Sequence, residues 1–263
     1  MSARLLPMAP TQRIVIHLGP HKTGSTTIQR LLSANRARLS PEVSVIGPRD
    51  PMLDRLSALA RKGRRRPSAE ALAARFAAES RRLARSCRHL PAVLVSSEDL
   101  LGPLPGRHGV RGLYPAAEQR LAQLEKAFAH DGAEIVFVFY QRPFEDWLGS
   151  VQRQLDHGTK PISARSMIPD DDWAPLLARL RAALSRGRLV TIDFAADAGP
   201  TRLGTALLDL AGVRAETIAR LTWPRPARVA RPETLGLSPE APAPAPSADP
   251  GNRRSHRNGA EGA

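Results

Sequence analysis

The chain has 263 residues, 42% of them apolar and 4% aromatic, with 39 basic against 25 acidic residues and a net charge of +14. That length suits one α/β domain with a sizeable core, or a domain plus a tail, and a single cysteine, Cys87, excludes an intrachain disulfide framework. The longest apolar runs, such as 135–140, are too short to span a bilayer, and residues 1–10 lack the h-region of a signal peptide. The expected location is therefore cytoplasmic.

The charge is concentrated. Residues 55–89 hold eleven basic and two acidic residues, nine of the net +14. Without interleaved aromatics this reads as a solvated helical face, and no nucleic-acid partner is expected. Of the 39 basic residues only four are Lys, which points to a compositional bias toward Arg.

In chain order, residues 13–18 (RIVIHL) read as a buried strand, 19–25 as a glycine-containing loop, and 26–39 as a helix. A short strand is expected at 43–46, and helices at 51–61 and 69–88, split by the breaker at 64–67. Residues 92–96 (AVLVS) are a second buried strand and 101–115 a Gly/Pro loop. A helix is expected at 117–130, then a third buried strand at 134–140 and a helix from Pro143 to 156. Residues 158–171 read as loop, 172–186 as helix, 188–194 as a fourth main strand and 199–212 as helix. Apolar strands alternating with helices predict a parallel sheet covered on both faces. The expected organisation is a flexible N-terminus (1–12), one domain (13–223) and a Pro/Ala/Arg-rich, disordered tail (224–263).

The segment from Ile16 to Thr27 carries the most chemistry. A strand ends, two glycines turn the chain, and a helix opens on a run of hydroxyl residues. Such a turn lets backbone amides converge on an anion at a helix N-terminus. Gly19 and Gly24 have Walker A spacing, yet Gly24 is followed by Ser25 and the lysine, Lys22, stands two residues ahead of it. His21-Lys22-Thr23-Gly24-Ser25-Thr26 resembles the 5′-phosphosulfate loop of sulfotransferases that use 3′-phosphoadenosine 5′-phosphosulfate (PAPS), in the bacterial, carbohydrate-directed branch. In that family an Arg at a later strand end and a Ser eight residues on bind the 3′-phosphate, and Arg142 and Ser150 have that spacing. Glu98, just after the strand at 92–96, matches a Ser-Ser-Glu-like segment of the same branch.

The resemblance covers about residues 13–212. It implies the P-loop nucleoside triphosphate hydrolase-like sulfotransferase fold, a three-layer α/β parallel sheet, and sulfo transfer from PAPS to a hydroxyl or amine, expected to be that of a carbohydrate. It implies nucleotide contacts from Gly19, Lys22, Thr23, Gly24, Ser25, Thr26, Arg142 and Ser150. Lys22 would act on the leaving phosphate, with Glu98 or His21 as the base. No Cys/His cluster at ligand spacing stands in the sequence, and no metal is expected. The family's third nucleotide-contacting segment has no clear counterpart; Arg225-Pro226-Ala227-Arg228 stands in about the right place without matching it. The alternatives are a P-loop kinase or NTPase, a non-catalytic nucleotide-binding relative, and a basic nucleic-acid binder. The acceptor would be shaped by residues 48–90, 101–116 and 157–172, whose arginines suit an acidic glycan or lipid head group.

Overall fold

A computed structural model describes residues 12–62, 69–158, 162–170, 172–198 and 202–224. These all belong to one unit, Met1–Ala227; a second, Arg228–Ala263, lies outside the described residues. So do almost all of the expected N-terminal segment and tail, the breaker at 64–67, and Arg225 to Arg228.

The elements run β1 (Gln12–Gly19), α1 (Ser25–Ala34), α2 (Arg36–Leu39), β2 (Ser44–Ile46), α3 (Pro51–Arg61), α4 (Ala69–Cys87) and β3 (Ala92–Ser96). Then follow α5 (Ala117–Phe128), β4 (Ala133–Gln141), α6 (Phe144–Asp156), α7 (Ala164–Met167), α8 (Ala174–Ala182) and β5 (Arg188–Asp193). Three short helices close the described chain: α9 (Phe194–Ala198), α10 (Thr205–Leu210) and α11 (Ala215–Ala219).

The five strands form one parallel sheet in the order β2-β3-β1-β4-β5. This is the expected α/β architecture. Alternation along the strands builds two cores. Ile14, Ile16 and Leu18 of β1 and Ile135, Phe137 and Phe139 of β4 pack with α3, α4, α5, α6 and α8. Val15 of β1 and Val136, Val138 and Tyr140 of β4 pack with α1, α10 and α11 on the opposite face. Strands covered on both sides are apolar at every step, which is why they are legible as continuous runs. Among the described residues, no helix is long and apolar enough to cross a membrane.

Several expected elements are corrected. The helix expected at 26–39 starts at Ser25 and is broken at Asn35, whose φ is −112°. Its amide donates to the carbonyls of Leu31 and Thr222 at 2.9 and 2.8 Å, so a distant segment takes over the turn. The last strand stops at Asp193, because the Asp193 carboxylate accepts the Ala196 amide at 2.8 Å and turns the chain into α9. The helix expected at 199–212 is confined, among the described residues, to Thr205–Leu210. The helix expected at 172–186 is Ala174–Ala182, that at 117–130 ends at Phe128, and Pro143 caps α6 rather than opening it. The loops at 101–115 and 158–171 contain a 3₁₀ turn (Arg107–Gly109) and α7, and α11 was not foreseen.

β1 lies at the centre, and the order of the later strands divides around it, β2 and β3 to one side and β4 and β5 to the other. Crevices at the carboxyl ends of strands, where strand order divides, are where open α/β sheets take ligands. The loop after β1 opens into that position.

Candidate functional site

The site is built on the loop between β1 and α1. The register of β1 on β4 shifts between His17 and Gly19, the Gly19–Pro20 peptide is cis, and Gly19 and Gly24 have φ of 94° and 78°. Lys22 also takes a left-handed conformation, φ 68°, unusual for a side-chain-bearing residue. The Thr23 hydroxyl donates to the Pro20 carbonyl at 2.6 Å and closes the turn from inside, so this hydroxyl is already in use.

Among the described residues, the backbone amides of Lys22, Thr23, Gly24, Ser25 and Thr26 have no protein acceptor. Ser25 is buried and its hydroxyl has no hydrogen-bond partner either. Thr26 is exposed at the head of α1. Buried or clustered donors left unpaired are rare in folded proteins, and a run of successive amides at a helix N-terminus is an anion cradle.

Helix α6 fixes the loop from one side. Trp147 Nε1 donates to the His21 carbonyl at 2.8 Å, and Lys22 Nζ donates to Gln154 Oε1 at 3.3 Å. Ser150 lies three residues after Trp147 and four before Gln154, on the same helical face, and is buried. Trp147 is anchored in a cluster with Phe144 and Trp173, and Trp173 Nε1 donates to the Arg142 carbonyl at 2.7 Å. The Arg142 guanidinium lies over the Phe194 ring, 5.7 Å from its centroid. That ring also borders Gly24: a Cβ at 24 would lie 3.1 Å from it and 2.4 Å from Leu203. Phe194 thus connects Arg142 to the loop, and a side chain at position 24 would drive them apart.

The other side of the loop is carried by the residues after β3. A Cβ on Gly19 would come within 2.9 Å of the Cβ of Glu98, so the absence of a side chain at 19 brings Glu98 against the turn. Glu98 is partly exposed, and its Oε2 accepts from Gln29 Nε2 at 2.5 Å. His21 is held more fully. The Tyr114 hydroxyl accepts the His21 amide at 3.1 Å and lies 3.1 Å from Nδ1, while Nε2 is 3.3 Å from Asp99 Oδ1. A hydroxyl that accepts the amide turns its proton toward Nδ1, which leaves the Nε2 proton for Asp99. Asp99 also accepts from Arg61 at 2.5 Å. Burial pushes the Asp99 carboxyl up, and hydrogen bonds from His21 and Arg61 outweigh it to hold the pKa below the ordinary value. Both nitrogens of His21 are therefore committed to the fold, whereas Glu98 keeps one oxygen without a partner.

The charges that act on Lys22 are one-sided. The Lys22 ammonium pKa is pushed down, first by burial, then by Arg153, Arg107 and Arg142 in that order. Among the described residues none of these four cations is paired with a carboxylate. Gln154, Arg107 and Arg153 were not identified from the sequence. The signal for Gln154 was its helical spacing from Trp147, and Arg107 and Arg153 carry none that local pattern reveals. Among the described residues no group of three His, Cys, Asp or Glu side chains is set to hold a metal ion.

No protein-family model matches this chain, and no curated protein matches it. Similar solved structures include an unliganded sugar kinase from Janibacter sp. HTCC2649, at 12% identity over 79% of this chain and 98% of that one, TM-score 0.38. Thymidylate kinase from Candida albicans is similar at 14% identity over 83% of this chain and 98% of that one, with the same TM-score. Likenesses of this size bear on no activity.

Proposed function

We propose that the chain binds PAPS at the loop 19–26 and transfers its sulfo group to a hydroxyl or amine acceptor, as sulfotransferases do. The observation that carries this reading is the run of amides at 22–26 that have no acceptor among the described residues, with the displaced Lys22 among them and the loop held by α6, which carries Ser150, and by Phe194, which lies under Arg142. Two anion stations on one nucleotide would use these residues: the amides, Ser25 and Lys22 for the 5′-phosphosulfate, Arg142 and Ser150 for the 3′-phosphate. Acceptor oxygen or nitrogen attacks sulfur, the bond from sulfur to the bridging phosphate oxygen breaks, and the acceptor proton passes to Glu98. Lys22 neutralises the charge that develops on the departing phosphate. Glu98 is preferred to His21 as base because both His21 ring nitrogens are engaged.

Phosphoryl transfer from a nucleoside triphosphate is the second reading. It is favoured by Glu98, a carboxylate against the loop where a hydrated Mg²⁺ would meet a phosphate chain. Calorimetric titration separates the two. The sulfonucleotide reading expects 3′-phosphoadenosine 5′-phosphate to bind without a divalent ion, and Lys22→Ala to weaken it about 10- to 100-fold through one lost charge-assisted contact. Binding of ATP only with Mg²⁺, and none of the bisphosphate nucleotide, would establish the kinase reading instead.

A further inference from the structure

The cations around Lys22 outnumber those that the nucleotide reading uses. Lys22 and Arg142 are assigned to its two anionic ends, while Arg107 and Arg153 remain. Each is set by packing. Gly106, φ 85°, fits against Leu155 of α6 so closely that a Cβ there would lie 2.7 Å from Leu155 Cδ1, which seats the Arg107 turn on the last turns of α6. Arg153 folds back along the helix over Gly149, its Nη1 3.7 Å from where a Cβ at 149 would stand. Gln154, next to Arg153, holds Lys22. Three separate elements thus bring positive charge to one place, and among the described residues no carboxylate answers it.

We propose that Arg107 and Arg153, next to Lys22 of the nucleotide loop, form a subsite for an anionic group on the acceptor, a sulfate or carboxylate of an acidic saccharide. This rests on the PAPS reading above. Convergence of the cations suits one compact, many-oxygen anion, which relieves their mutual repulsion. A nucleic-acid track would instead need a line of cations with several exposed aromatic faces, whereas of the aromatics that border the loop Tyr114 and Trp147 are fully buried and Phe194 is half-buried beneath Arg142. Such a subsite would position the acceptor beside Glu98.

The test is calorimetric titration with a heparin-derived hexasaccharide and with neutral chitohexaose, each with and without saturating 3′-phosphoadenosine 5′-phosphate. Arg107 and Arg153 are exposed, so the double variant Arg107→Ala/Arg153→Ala is expected to fold, and a thermal melt checks it. The parent should bind the heparin fragment and not chitohexaose. The double variant should lose at least about tenfold in hexasaccharide affinity while nucleotide affinity changes by less than about twofold. As a charge-matched control, Arg81→Ala/Arg85→Ala on the exposed face of α4 should retain hexasaccharide binding. An equal loss in both double variants would reduce the effect to net charge and overturn the proposal. So would a matching loss of nucleotide affinity, or oligothymidine binding with the same dependence on Arg107 and Arg153. If the parent binds no nucleotide, yet hexasaccharide binding still depends on these two arginines, the subsite stands and the PAPS reading falls.

Discussion

The two ends of the sheet carry similar residues and leave their charge in opposite states. At the amino ends of the strands, Arg13 donates to Glu134 at 3.0 Å, Arg188 lies 3.3 Å from the same carboxylate, and Arg186 lies 3.8 Å from Asp131. A groove opens there, lined by Arg13, Glu134, Arg186 and Arg188, and every one of those charges has a partner. Buried Glu125 accepts the amides of Ser185, Arg186 and Gly187 and the Ser185 hydroxyl, at 2.6–3.1 Å. At the carboxyl ends, among the described residues, Lys22, Arg107, Arg142 and Arg153 have no carboxylate partner, and five successive amides have no acceptor. An Arg-rich composition therefore does not itself mark a site. Charge left uncompensated next to unpaired amides does, because only a ligand completes it.

The largest effect expected at the self-satisfied end is that of Glu125→Ala. It removes the buried acceptor of three amides and a hydroxyl whose own residues, 185–187, are exposed or half-buried, so water replaces part of what is lost and about 2–4 kcal/mol in all is expected. Urea denaturation measures it. Nucleotide affinity in the folded fraction should not change, since Glu125 is remote from the loop. A loss below about 1 kcal/mol would mean that this end is not held by its internal bonds, and the contrast between the two ends would dissolve.

The contrast also divides what was legible in the sequence from what was not. The sheet was readable because strands buried on both faces leave unbroken apolar runs such as 135–140. The loop was readable because its glycines and hydroxyls are consecutive. Arg142 and Ser150 were readable because they lie on one strand end and the helix that follows it. Arg107 was hidden because its place depends on Gly106 meeting Leu155 across the fold. The break at Asn35 was hidden for the same reason, since Thr222 provides the partner. The commitment of His21 depends on Tyr114 and Asp99, which stand 93 and 78 residues away. Local chemistry announces itself in a sequence; contacts that free or occupy a side chain are tertiary.

Beneath the loop, His17 sharpens the comparison. It is fully buried in β1, 2.9 Å from the Ser96 hydroxyl through Nδ1, with Nε2 unpartnered and the ring edge-on to Tyr140. Desolvation pushes its pKa down to about 3. The unfolded chain takes up the imidazole proton near pH 6.5, and the folded chain refuses it until about pH 3. Unfolded protein binds more protons across that window, so stability must fall as pH falls, by up to about 1.4 kcal/mol per pH unit from this group. Chemical denaturation at several pH values should show the slope in the parent and a slope shallower by one proton in His17→Gln. Equal slopes would show that the ring is protonated in the folded state.

The smallest effect tests whether burial sets the size of such contributions. Glu42, half-buried where Glu125 is fully buried, plays a similar part: it accepts the Arg214 amide at 2.6 Å, the Thr217 hydroxyl at 2.5 Å and the Arg214 guanidinium at 3.1 Å. The Arg214 amide first, then the Thr217 hydroxyl, hold its pKa down to about 2 against the opposing pull of burial. A carboxyl with a depressed pKa stabilises the fold above its unfolded value, near 4.3, and loses that contribution as pH falls toward 2. Glu42→Gln keeps the shape and removes the charge, so it should cost about 1 kcal/mol or less at neutral pH, well under Glu125→Ala, because Gln still offers one acceptor oxygen and Glu42 is less buried than Glu125. The loss should be local: hydrogen exchange at Thr217 and Ile218 in α11 should quicken while the β1 and β4 amides stay protected. If Glu42→Gln instead unfolds the sheet as readily as Glu125→Ala does, the number of bonds accepted, and not their burial, governs what each carboxylate contributes.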